Sequence, residues 1–490
     1  MNNIPSHSNI LVIGGGPAGS SAATLLARGG FDVTLLEQAR FPRYHIGESL
    51  LPSLLQVIDL LGIREKLEAF GFQKKHGAYL EWGRDTWALN FGELAGDNTY
   101  SFQVVRSEFD HLLLQHAESQ GAKVFEGIEV RSINFSNDRP RSVTYSVDSN
   151  GNGSTGQTGE ISFDYLIDAS GRNGLMATRN LRNRRYHEVF KNIALWGYWE
   201  KTDRFATGRE GDIAVGSIPN GWIWAIPLHD DTMSVGVVIH KDALAAKRPM
   251  AIEEIYQQAL FQSPLIKKIV ENAELVSEIK TETDYSYTSE KFSGPGYFMV
   301  GDAACFLDPL LSSGVHLATF SAMLAAASLI SLRDGIITET EAVSFFEKGY
   351  RQAYLRFLVF LSAFYDINRG KESYFWEAQR LTQEDVDESN LKMAFLNLVT
   401  GIKDLRDAQS DTHQFILKEM SERIGENLSF RKNKEALASL DGQDLKAARD
   451  NARFFSSVEG LFALNQEDAI DGLYVQTHPS LKLARVKSQD

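Results

Sequence analysis

The chain has 490 residues, 43% hydrophobic and 23% charged, an ordinary globular composition that excludes a disordered, collagen-like or coiled-coil protein. Its 50 Lys and Arg against 64 Asp and Glu leave a formal charge of -14, which opposes general binding to nucleic acid or to an anionic membrane. Cys305 is the only cysteine, so neither a disulfide framework nor a thiolate metal cage is available, and a reducing, cytoplasmic setting is expected.

At roughly 150 residues per domain the length predicts about three folding units. Met1 to Ser8 lack the basic n-region of a secretory signal. Asn9-Ile-Leu-Val-Ile-Gly14 reads as a short strand ending at glycines, Ala18 to Arg28 as a helix, and Asp32-Val-Thr-Leu-Leu-Glu37 as a second strand. Between the first strand and the helix, Gly14, Gly16 and Gly19, with Pro17 and Ala18, supply a G-x-G-x-x-G fingerprint, and Glu37 follows about 18 residues later. Such glycines let the backbone approach a pyrophosphate, the helix N-terminus offers N–H donors, and the carboxylate accepts from ribose hydroxyls.

Gly151-Asn-Gly153-Ser-Thr-Gly156 repeats the pattern without a framing strand or helix. It reads as the turn of a hairpin between Val143–Val147 and Ile161–Ile167. One dinucleotide site is therefore expected, without the second nucleotide domain of a self-contained nicotinamide-using disulfide reductase. From about residue 185 to 300 the pattern is short and β-rich, with Asn192–Glu200, Gly221–Pro227 and Met233–Ile239 as strands.

The uncharged stretch Pro309–Leu332 is interrupted by Ser312, Ser313, Gly314 and His316, and predicts a buried helix rather than a membrane span. Beyond Glu339 the pattern is helical. Tyr350, Tyr354, Phe357, Leu361 and Phe364 form an aromatic stripe, with Phe360 and Tyr365 beside it, read as core with pocket lining as the alternative.

The expected fold is α/β, a Rossmann-like nucleotide-binding domain over 1–185 and 295–338 with a β-sheet substrate domain inserted over 186–294. A C-terminal helical region covers 339–490. Eleven histidines show no H-x-x-x-H pair and no G-x-S-x-G elbow occurs, so neither a metal site nor a serine hydrolase is expected.

Three further stretches, Val105-Arg106-Ser-Glu-Phe-Asp110, Asp168-Ala-Ser-Gly-Arg172 and Gly301-Asp302-Ala-Ala304, resemble the flavoprotein monooxygenases of the p-hydroxybenzoate hydroxylase-like fold. The resemblance implies FAD. It gives Asp302 the ribityl chain, Arg106 a cofactor contact, and Asp168 to Arg172 a place near the phosphates. Each residue taken singly reads as a helix cap or surface ion pair.

More specifically, Trp222-Ile-Trp224-Ala-Ile-Pro227, Phe72-Gln-Lys-Lys75-His-Gly77, Phe41-Pro-Arg43-Tyr-His-Ile-Gly-Glu-Ser49 and Gly301–His316 are similar to segments of the flavin-dependent halogenases, above all those acting on phenols and pyrroles in polyketide and nonribosomal-peptide pathways. The similarity spans roughly the first two-thirds of the chain, and adds Arg43 and Ser49 to the cofactor set. It implies that FADH2 and oxygen turn chloride or bromide into hypohalous acid. Lys75 would deliver it to an aromatic carbon, as a haloamine or by hydrogen bonding, while Trp222 and Trp224 separate flavin from substrate.

Backbone N–H groups around Ser313 and Gly314 would hold the halide at a helix entrance. Tryptophan halogenases carry a glutamate where this chain has Leu311, which points to a self-activating phenol or pyrrole, free or tethered to an acyl or peptidyl carrier protein. Reduced flavin would come from a separate NAD(P)H-dependent reductase. Rival readings on the same fold are an aromatic hydroxylase or reductase and a non-catalytic flavin-binding subunit.

Overall fold

The computed structural model describes residues 4–82, 85–91, 99–148, 155–369 and 469–486. Its first sheet runs Ser293–Gly294, Tyr297–Met299, Thr155–Asp168, His7–Ile13, Val33–Glu37 and Lys123–Glu126. The last five strands are parallel, and Ile10, Leu11 and Val12 at the centre are wholly buried, as a sheet covered on both faces requires. Helix Pro17–Arg28 connects the two central strands, and packs against helix Gly314–Arg333.

Arg139–Asp148 and Thr155–Asp168 pair antiparallel, giving the hairpin expected around Gly151. Residues 149–154 of its loop lie outside the described residues. Ile128–Ser136 adds a third strand to this meander.

The second sheet has nine strands, ordered Cys305–Phe306, Lys280–Ser289, Arg184–Glu200, Met233–His240, Gly221–Pro227, Ile213–Ile218, Gly77–Trp82 and Asp85–Asn90, with Glu274–Leu275 beside Arg184–Glu200. It reaches beyond the 186–294 range read from sequence. Ile213–Gly216 pairs in parallel with Ala78–Glu81, a long-range register that no local pattern reveals. Helices Lys241–Ala245, Ile252–Leu260 and Pro264–Val270 also interrupt this β-rich stretch, and Ile255, Tyr256, Leu260 and Ile266 join Leu195, Val235 and Val237 in a separate core.

Gly314–Arg333 is long and apolar enough to cross a membrane, yet 94% of its most apolar window is buried within the protein. Helix Glu339–Arg369 packs on it and buries Tyr350, Tyr354, Phe357 and Leu361, so this part of the aromatic stripe is core. The side chains of Phe360, Phe364 and Tyr365 lie outside the described set.

The C-terminal region is not helical throughout. Leu473–Gln476 and Lys482–Arg485 form a hairpin docked on the two long helices: Leu483 N donates to Ser331 Oγ at 2.6 Å, and Lys348 pairs with Asp471 at 2.7 Å. Four-residue strands carry too few alternations to stand out in the sequence.

Candidate active site

A cavity of about 440 Å³ is lined by residues of both sheets, a size suited to a small-molecule cofactor. Gly14 ends the first strand at φ +102°, where a Cβ would sit 2.2 Å from Ala169 O, so only glycine fits. Helix Pro17–Arg28 starts at Gly16 without a side-chain cap. Ser20 N–H donates to Gly16 O, which leaves the Ala18 and Gly19 N–H groups without helical acceptors.

Gly14, Gly16, Pro17 and Ala18 line the cavity. Gly19 does not; a Cβ there would lie 1.9 Å from Gly14 O, so this glycine serves the close packing of helix on strand. Glu37 accepts from Gly15 N at 2.6 Å and Ala39 N at 2.7 Å on the cavity wall, and its carboxylate keeps lone pairs for a ribose.

Arg43 and Arg106 line the cavity and converge on Asp110, a residue that sequence reasoning passed over. Arg106 grips it through Nε and Nη2 at 2.8 and 3.0 Å, and Arg43 Nη1 donates at 3.1 Å. Burial alone would raise the Asp110 pKa, but the Arg106 and Arg43 charges hold it below the ordinary carboxylate value. The Arg106–Asp110 spacing of i,i+4 was a legible signal.

Asp302 also lines the cavity, its pKa raised by burial against the opposing pull of Arg172, Arg106 and Arg184. Asp168 turns away from the cavity; its carboxylate accepts from Ser170 N and Met176 N at 3.0 and 2.8 Å. It thereby shapes the turn that puts Ala169 to Arg172 on the wall.

Lys75 is buried, 3% exposed, and donates through Nζ to Ser49 Oγ at 2.9 Å and Leu50 O at 3.2 Å, with the Phe91 ring 5.4 Å away. Ser49 is on the cavity wall and Lys75 lies behind it, so the serine predicted to hold cofactor also anchors the lysine. Neighbouring Lys74 is exposed and pairs with Glu68 at 2.8 Å.

Trp222 and Trp224 share one face of strand Gly221–Pro227 and line the cavity, their rings 5.6 Å apart. Trp224 Nε1 donates to Ser234 Oγ at 3.2 Å. At the entrance to helix Gly314–Arg333, Ser312 adopts a left-handed φ of 55°. Asp308 fixes this turn, accepting from Leu310 N at 3.1 Å and Asn192 Nδ2 at 2.8 Å. Ser312 and Gly314 reach the cavity; Ser313 is buried beside it, its hydroxyl without a hydrogen-bond partner.

The uncapped helix start, the glycine cradle and the arginines fit a dinucleotide, whose diphosphate the fingerprint would hold. Sequence reasoning missed two further wall residues. His45 is held neutral, its pKa lowered to about 4 by burial and Arg106. Glu48 is buried and accepts from Tyr198 OH at 2.7 Å.

The sequence model of the tryptophan halogenase family matches residues 9–99 and 93–419. The chain is 46% identical to the tryptophan 2-halogenase of Chondromyces crocatus, over 98% of this chain and 95% of that one. It is 39% identical to the flavin-dependent halogenase ascD of Acremonium egyptiacum, over 81% of this chain and 73% of that protein. Among solved structures, the myxobacterial chondrochloren halogenase CndH, an FAD-dependent halogenase, is similar with a TM-score of 0.71 and 36% identity, over 81% of this chain and 90% of that one. Fold, cradle and comparisons together define a flavin-dependent halogenase. The chain belongs to the tryptophan halogenase family, with FAD, used as FADH2, and a halide as its cofactors.

Proposed function

We propose that this enzyme halogenates an electron-rich aromatic ring, a phenol or a pyrrole-type ring, by delivering hypohalous acid through Lys75. The observation that carries the reading is the buried Lys75 amine, hydrogen-bonded to a serine of the cofactor cavity wall. Bound as FADH2, the cofactor supplies electrons to oxygen, and halide oxidation supplies the rest. Residues of the fingerprint, with Arg43, Arg106 and Asp302, hold and orient it.

Trp222 and Trp224 screen the ring to be modified from the cofactor, which disfavours direct oxygen transfer. N–H groups at Gly314 and the buried Ser313 hydroxyl offer donors for chloride or bromide at a helix N-terminus. Lys75 then takes up the oxidant, as a haloamine or by hydrogen bonding, and presents it to the ring. Reduced flavin arrives from a separate NAD(P)H-dependent reductase. The buried Gly314–Arg333 helix and the buried single cysteine suit a cytoplasmic enzyme.

Leu311 favours a ring that stabilises its own cationic intermediate, since no carboxylate stands at that position. The Chondromyces relative's name favours a second reading, the indole of tryptophan. The two converge chemically, because position 2 of an indole lies on its pyrrole ring beside the nitrogen.

The test is mass spectrometry after incubation with reductase, NADH, oxygen and chloride or bromide. Substrates are phenols, pyrroles and tryptophan, free or carrier-tethered. A halogen isotope pattern that vanishes in Lys75→Ala supports the proposal, and the productive ring names the substrate. Oxygenated products would replace it with a hydroxylase.

A further inference from the structure

Hypohalous acid formation consumes a proton. One FADH2, one oxygen molecule, one halide and one proton give FAD, hypohalous acid and water. Oxygen takes four electrons, two from FADH2 and two from the halide, and the three hydrogens end on hypohalous acid and water. That proton must reach a cavity whose wall combines buried side chains such as Glu48, Trp222 and Trp224 with exposed ones such as Arg179 and Glu282, and it is at the buried part that a protein-borne route matters.

One hydrogen-bonded chain leads there. Glu48, 2% exposed, lines the cavity, and its Oε1 accepts from Tyr198 OH at 2.7 Å. Tyr198 OH lies 3.0 Å from Tyr44 OH, and Tyr44 is 49% exposed. Trp196 Nε1 donates to Tyr44 OH at 2.7 Å. Because Tyr198 gives its single hydroxyl hydrogen to Glu48, the Tyr44 hydroxyl, which itself accepts from the Trp196 indole N–H, is the donor in the Tyr44–Tyr198 contact.

The chain is therefore polarised inward, from Tyr44 through Tyr198 to Glu48. Glu48 Oε2 is buried and makes no hydrogen bond of ordinary geometry, with the Ser234 hydroxyl facing the carboxyl group. The charged groups facing Glu48 are Arg106, which favours its ionised form, and Asp230, which opposes it.

We propose that Tyr44, Tyr198 and Glu48 form a proton relay that carries the proton consumed in hypohalous acid formation from solvent to the cofactor cavity. Glu48 gives its carboxyl proton into the cavity. In one concerted shift the Tyr198 O–H bond breaks as a new Glu48 O–H bond forms, Tyr198 takes the Tyr44 hydrogen and Tyr44 takes a proton from a solvent hydronium ion, which becomes water, so neither phenol, each raised above its ordinary pKa by burial, passes through a phenolate. Burial raises the Glu48 pKa to about 7, so near neutrality it can both hold and release a proton. The inference rests on the halogenase reading for its reaction, but not for the acid itself.

Infrared titration of the cofactor-free protein tests the acid. A protonated-carboxyl band titrating near neutrality, shifted in D2O and lost in Glu48→Gln, is expected; its absence overturns the proposal. The reduced holoenzyme tests the route, through the bromide-dependent return of oxidised flavin after mixing with oxygen.

Glu48→Gln should slow that return on the order of 10²-fold. Tyr198→Phe and the surface variant Tyr44→Phe should slow it with a larger solvent isotope effect and a shifted pH profile, while Tyr44→Phe binds FAD normally. Unchanged isotope effect and pH profile in both tyrosine variants would overturn the relay. Failure of the halogenase reading registers separately, as reoxidation in the unaltered protein that ignores bromide.

Discussion

Lys75 Nζ donates to Ser49 Oγ at 2.9 Å, joining strand Gln73–Lys75 to the loop that forms part of the cofactor wall. A long flexible side chain is thereby held in one place, which in the proposed delivery role orients the amine at low entropic cost in the reaction itself. Replacing the lysine and replacing its anchor should have separable effects.

Lys75→Ala should abolish halogenated product, a fall of at least about 10²-fold, while bromide-dependent oxidation of reduced flavin continues. Hypohalous acid released to solvent then appears in a chemical trap. Ser49→Ala leaves Leu50 O as an acceptor for the amine. It should lower stability by about 1–3 kcal/mol and reduce product yield without eliminating it. Denaturant melts and product quantification read the two effects.

Asp110 binds two of the cavity arginines, Arg43 and Arg106, and has no exposed surface. Asp110→Ala strands two guanidinium groups, and breaking such a buried pair costs about 3–5 kcal/mol. FAD affinity should fall with stability, and fluorescence titration of the cofactor beside a thermal melt checks it. Asp110→Asn, which retains an acceptor, should do less harm in both measurements.

Gly14→Ala places a methyl against Ala169 O at a left-handed φ. Strain of this kind costs about 1–3 kcal/mol before the backbone overlap is counted. Cofactor binding should be lost first, because relief requires the fingerprint turn to move. Gly19→Ala should instead loosen helix Pro17–Arg28 from the strand, lowering thermal stability along with FAD affinity.

The fingerprint was legible because its strand, turn and helix are contiguous, and the Trp222 and Trp224 pair because a two-residue spacing puts both rings on one strand face. Lys75 was legible by resemblance alone; its own surroundings gave no sign of burial, since Ser49 and Leu50 reach it from a distant segment. Glu48 escaped notice for the same reason. Its partners Tyr198 and Ser234 come from the second sheet, and a burial-raised pKa is a property of that assembled environment. The place of strand Gly77–Trp82 in the second sheet was likewise hidden in a long-range pairing, whereas the buried helix Gly314–Arg333 announced itself through a lack of charge up to its last residue.

His187 provides the clearest pH signature of stability. It is buried, its Nε2 is hydrogen-bonded to Tyr354 OH, and burial lowers its pKa from 6.5 to about 4. The unfolded chain therefore binds a proton below pH 6.5 that the folded protein refuses until about pH 4, so stability from this residue is lost on acidification through that window. At pH 5 the loss is on the order of 2 kcal/mol. His187→Gln removes the titration together with some packing, so the variant should be less stable than the parent at pH 7 and the gap should narrow as the pH falls from 6.5 to 5. Urea melts of both proteins across that range measure it; a gap that stays constant would mean His187 is protonated in the fold. His316, buried against Phe320 and Phe357 with its pKa lowered to about 3, acts in the same direction, so the His187→Gln variant should retain a residual acid sensitivity.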